Sequence, residues 1–114
     1  MPDKPNLIVD MSFRFSLKMI IFTEALEARR KFNMANQLFK SGTSIGANIC
    51  EAQGEESKHD FAHKCKIAYK EAAETEYWLK LCKHADNYPF EQGLLDEAQA
   101  IIRVLGKIIS TTKN

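Results

Sequence analysis

Apolar residues recur along this chain at steps of three and four, and no stretch alternates at a step of two, so the pattern predicts helices throughout. Met1 to Val9 contains Pro2 and Pro5 and reads as extended or frayed. Asp10 can cap a first helix over Met11 to Lys31. That helix carries two stripes. Phe13, Leu17, Ile20, Ile21 and Ala28 form one; Phe15, Met19, Phe22 and Leu26 form another on nearly the opposite side. A helix that buries one face in its own fold needs only one stripe. Either the helix is enclosed on all sides, or one stripe meets another subunit; the expectation is that Phe15, Met19, Phe22 and Leu26 do so.

After a break near Asn33 comes a helix of small side chains that should end near Gly54. Leu38, Ile45 and Ile49 set its stripe, with Met34, Gly42 and Ala52 on the same line. Glycines at 42 and 46 each cost a helix interior about 1 kcal/mol against alanine, which implies another helix close to that backbone. Ser41, Ser44, Asn48 and Glu51 lie beside the stripe at spacings of three and four. Ser57 then opens a third helix through the capping pattern Ser57-Lys58-His59-Asp60. Its core stripe is Phe61, Cys65, Ala68, Ala72, Thr75, Leu79 and Cys82. The other side begins basic, with His59, His63, Lys66 and Lys70 within about 60° on a helical wheel. It ends aromatic, with Tyr77, Trp78 and Leu81, a patch expected at an oligomer interface. Asp86 to Phe90 is a loop. A last helix from about Glu91 to Thr111 has the single stripe Leu94, Ala98, Ile101, Ile102, Leu105, Ile108 and Ile109. Four such helices with short connections predict one all-α domain over residues 1–114, an antiparallel up-down-up-down four-helix bundle.

Composition narrows the function classes. With 45% hydrophobic and 27% charged residues the 114-residue chain has the make-up of a globular protein with one core. A net charge of +1 gives no global field toward nucleic acid or membrane. Met11 to Leu26 is broken by Arg14, Lys18 and Glu24, so it reads as neither signal peptide nor membrane span. Cys50, Cys65 and Cys82 are odd in number and widely spaced, which suits free thiols on or beside the core in a reducing cytoplasm.

Ser41-Gly-Thr-Ser-Ile-Gly-Ala-Asn-Ile49 with Glu51 resembles the signature of the 23S rRNA-intervening-sequence protein family of four-helix bundles. Ser57, Asp60-Phe61, Lys64 and the run Lys66 to Leu79 continue the resemblance in register. The resemblance implies a bundle but no settled activity. Some members are encoded inside insertions in ribosomal RNA genes. A related accessory protein of diversity-generating retroelements is a five-fold ring that binds nucleic acid. The resemblance therefore implies a homo-oligomer, a pentamer, and a link to RNA or DNA. That accessory protein is distinctly basic, and this chain is not.

No constellation supplies catalysis. His59 and His63 are spaced to pinch a metal, but no third ligand is placed and His-Asp-Phe-Ala-His lacks the glutamate of H-E-x-x-H. Ser44, Asn48, Glu51, Glu74 and Glu76 lie beside apolar stripes without a nucleophile, phosphate loop or oxyanion donor, so they are expected to form a structural polar network. Arg29, Arg30 and Lys31 end the first helix, where cations meet its dipole favourably. With His59, His63, Lys66 and Lys70 they are the candidate phosphate-facing residues. The expectation is a non-enzymatic protein without cofactor or metal, bound weakly and salt-dependently to nucleic acid. The alternative is a protein-interaction scaffold.

Overall fold

Asn6, not Asp10, starts the first helix. In this computed structural model, which describes residues 6–112, the Asn6 side chain accepts a hydrogen bond from the Val9 amide at 3.4 Å. Helix α1 (Leu7–Ala28) follows. The expected frayed segment is thus helical from Leu7, and its first five residues lie outside the described residues. Asparagine caps as well as aspartate, and the earlier start lets Ile8 join the core. Asp10 sits in the first turn instead and pairs with Arg14 at 3.1 Å. The next helices are α2 (Phe32–Ala52), α3 (Lys58–His84) and α4 (Gln92–Thr112). Among the described residues there is no strand, and no helix is long and apolar enough to cross a membrane.

The α1–α2 turn is a Schellman motif built without glycine. The Arg30 amide donates to Glu27 O and the Lys31 amide to Leu26 O, both at 2.8 Å, with Arg30 in the left-handed region at φ 64°. The expected helical end over Arg29 to Lys31 is therefore a turn. At the start of α3, Ser57 Oγ accepts from the Asp60 amide at 3.0 Å, as the capping pattern predicts.

Each helix packs on its sequence neighbours and α1 returns to α4, while the diagonal pairs stay apart. The α1–α4 seam is the sparsest of the four. This is the all-α four-helix bundle expected from the pattern, 46 Å long and 20–23 Å across. The small residues of α2 serve α1. A Cβ on Gly42 would lie 2.6 Å from Met19 Cγ; one on Gly46 would lie 3.1 Å from Ser16 Oγ and 3.2 Å from the Ser12 carbonyl oxygen. The core stripes of α2 and α3 follow those read from the sequence, with Met34 and Phe61 only partly buried; in α4, Leu94, Ala98, Ile101 and Leu105 are buried as read, Leu95 joins them, and Ile102, Ile108 and Ile109 pack only partly against the core.

In α1 the two stripes exchange roles. Phe15, Met19, Phe22 and Leu26 are enclosed in the chain's own core, so they are not an oligomer interface. They turn inward because that line also carries Ile8 and Ser12 and meets the small residues of α2. The outward stripe is Phe13, Leu17, Ile20 and Ile21, with Phe13 and Ile21 62% and 67% exposed. Phe39 of α2 shares a surface groove with Ile20. On α3, Tyr77 and Leu81 are exposed as expected, whereas Trp78 packs partly against the core.

Candidate nucleic-acid interface

A phosphate-binding surface needs cations that are exposed and not already neutralised. His59, His63, Lys66 and Lys70 follow one another up the outer face of α3, all exposed. The four ion pairs among the described residues, Arg14–Asp10, Lys18–Glu97, Lys64–Glu51 and Lys80–Glu76, include neither Lys66 nor Lys70. Both lysines border a surface groove of about 410 Å³ between α3 and α4, completed by Tyr69, Gly106 and Ile109. A Cβ on Gly106 would lie 3.6 Å from Tyr69 Cε2, so the Tyr69 ring rests beside bare helix backbone. Sequence reasoning missed this groove. Tyr69 was visible between two lysines, but that a glycine of α4 stands opposite depends on the α3–α4 register.

The other basic cluster is elsewhere and largely engaged. Arg29 Nη2 donates to the Asn87 carbonyl at 2.7 Å, and the Lys31 ammonium lies 4.6 Å from the centroid of the Tyr88 ring. Both contacts tie the α1–α2 turn to the loop after α3. His59, by contrast, is in the first turn of α3. A helix of 27 residues is about 40 Å long at 1.5 Å per residue. The fold therefore does not bring Arg29, Arg30 and Lys31 together with His59, His63, Lys66 and Lys70 within one chain.

The expected polar network does not form. Ser44 Oγ donates to the Lys40 carbonyl at 2.6 Å and Asn48 Nδ2 to the Ser44 carbonyl at 2.9 Å, both within α2. Glu51 is exposed and accepts from Lys64 Nζ at 2.7 Å, a contact that raises the Lys64 pKa. Glu74 accepts from Trp78 Nε1 at 3.0 Å, and Glu76 from Gln99 Nε2 of α4 at 3.0 Å. These groups are separate because they fall on the flanks of their helices, where each reaches a local or neighbouring partner. The buried side-chain-to-side-chain contact among the described residues is between Ser41 and Thr75: Thr75 Oγ1 lies 2.9 Å from Ser41 Oγ and 2.8 Å from the Glu71 carbonyl.

Glu71 sits beside this pair. Partial burial and then the Glu74 carboxylate raise its pKa, with Lys40 and Lys70 opposing the rise. Among the described residues no three His, Cys, Asp or Glu side chains gather as a metal cage. Cys65 and Cys82 are buried, and burial pushes the Cys82 thiol up to about 11, away from nucleophilic chemistry. Cys50 departs from the expectation of a core thiol: it is exposed, bordering a groove with Phe13 and Ser16.

Residues 4–110 match the model of the 23S rRNA-intervening sequence protein family. Among solved structures, the chain is similar to a protein of unknown function from the S23 ribosomal protein family of Bacteroides thetaiotaomicron VPI-5482, whose crystal structure was determined at 1.70 Å. The two are 38% identical over 90% of this chain and 97% of the other, with a TM-score of 0.84. No curated protein matches.

Proposed function

This chain belongs to the 23S rRNA-intervening sequence protein family, and from that membership we propose that it is a non-enzymatic, homo-oligomeric bundle that binds nucleic acid through phosphate contacts on α3. The observation that carries the proposal is the pair Lys66 and Lys70, exposed, free of ion pairs among the described residues and set beside an open groove. His59 and His63 extend the same face toward the start of the helix. The 23S rRNA in the family's name, and the ribosomal protein family named for the Bacteroides relative, agree with such a partner. The Arg29–Lys31 turn contributes less, since Arg29 and Lys31 already have partners within the chain.

A net charge of +1 makes binding by one copy weak. Assembly multiplies the basic face, and the outward stripe Phe13, Leu17, Ile20 and Ile21 supplies apolar surface for it. Five copies is the number that resemblance to the ring-forming accessory protein suggests.

The test is a titration of structured RNA and duplex DNA at about 50 and 200 mM salt, the range over which counterion release is expressed. Affinity is expected to fall steeply with salt, and to fall again when Lys66→Glu and Lys70→Glu are combined. Absence of binding at the lower salt would refute the reading and leave the interaction-scaffold alternative, to be pursued by a pull-down for a protein partner.

A further inference from the structure

The α3–α4 groove offers more than charge. Tyr69 is 37% exposed, lines the groove beside Lys66 and Lys70, and has the side-chain-free backbone of Gly106 and the apolar Ile109 opposite. At about 410 Å³ the groove falls within the roughly 300–1,000 Å³ typical of ligand sites. Lys66 and Lys70 are one turn apart, about 6 Å along the helix axis. Neither has a carboxylate partner among the described residues.

An aromatic ring in an apolar recess with two cations along one edge is an arrangement that holds an unpaired nucleotide. The base stacks on the ring and the flanking phosphates meet the cations. Every base has a π-face, so such a site tolerates sequence. A base inside a duplex has no free face, so the site discriminates by strandedness.

We propose that the Lys66–Tyr69–Lys70 groove is a single-strand subsite that takes one extruded nucleobase of RNA or single-stranded DNA. The proposal rests on the phosphate-binding reading above and adds a stacking component to it.

The experiment uses a short oligonucleotide with one 2-aminopurine, made as RNA and as DNA, and presented single-stranded or annealed. Anisotropy reads affinity and 2-aminopurine fluorescence reads stacking. The single strand should bind more tightly than the duplex, with a change in 2-aminopurine emission in at least one of the RNA and DNA arms, which tells the two sources apart. Tyr69→Phe should keep both signals. Tyr69→Ala should weaken single-strand binding by about five- to 150-fold, the range of one base–aromatic stack, while the salt dependence stays as it was. Gly106→Leu, which fills the groove from the other side, should act in the same direction, and circular dichroism checks that both variants are folded.

Unchanged affinity and emission in both variants would overturn the stacking site. If Lys66→Glu with Lys70→Glu still weakened binding in that case, the phosphate-binding reading would survive alone. No binding by the wild type at about 50 mM salt would remove both.

Discussion

Arg30 holds a backbone conformation that suits glycine better than arginine. Its φ of 64° places it in the left-handed region, where a Cβ costs about 1–2 kcal/mol. Arg30→Gly is therefore expected to stabilise the protein by about 1 kcal/mol, read as a higher urea midpoint. A loss of stability instead would mean that the guanidinium makes a contact worth more than the strain. Glu71 carries a pH-dependent load. Its pKa is raised in the folded protein, by burial first and by Glu74 second. Its contribution to stability is then fully present below the unfolded value and lost as pH rises through the folded one. Glu71→Gln should stabilise the protein near pH 7, and that advantage should shrink as pH falls into the ordinary carboxylate range, about pH 4. Paired urea titrations at the two pH values decide it, and an advantage that grows on acidification contradicts the assignment. The cap at Asn6 shows how little separates two readings at this scale: asparagine and aspartate four positions apart are equally good caps, and only Ile8's place in the core selects the first.

Along each element, periodicity was a good guide wherever a helix had one apolar face, as in α2 and α4. In α1 it could not rank two faces, because stripe against stripe is decided by what the neighbouring helix presents. A sequence signal for the choice existed. Asp10 and Glu24 lie in helical register with Leu17, seven residues before and after it, so charge bounds the outward line at both ends. Ile8, Ser12 and Thr23 extend the inward side instead. The predicted polar network failed for a related reason: wheel angles placed Asn48 and Glu51 beside the core, but a flank is enclosed only where a neighbour covers it. The glycines separate by the same logic. Gly46 faces the Ser12 carbonyl oxygen, which cannot rotate away, so Gly46→Leu should cost about 1–3 kcal/mol in thermal or urea unfolding. Gly106→Ala meets Tyr69 at an ordinary 3.6 Å and should instead gain up to about 1 kcal/mol of helix propensity. Equal effects at the two sites would show that the α1–α2 approach is looser than its distances imply.

For the whole molecule, the outward stripe of α1 sets the expectation that the chain does not act alone. Light scattering at micromolar concentration should give a mass several times the 13.0 kDa of one chain. Phe13→Asp combined with Leu17→Asp should reduce the mass to a single chain while helix content by circular dichroism is kept, since both side chains point away from the core. A wild-type mass of one chain refutes the oligomer. The groove on α3 and α4 was only half legible, because Lys66, Tyr69 and Lys70 are close in sequence whereas Gly106 meets them through tertiary register. The order of packing bears on time as well as on shape. Three of the four helix seams join consecutive helices, and the seam that must bring the first helix to the last is the sparsest. Chain closure then asks little of the search for the native state, and rapid collapse of the first three helices can precede docking of the fourth against α1. On the reverse path α1 and α4 should part first, and once undocked they unravel more readily, so their amides are expected to exchange faster than those of α2 and α3.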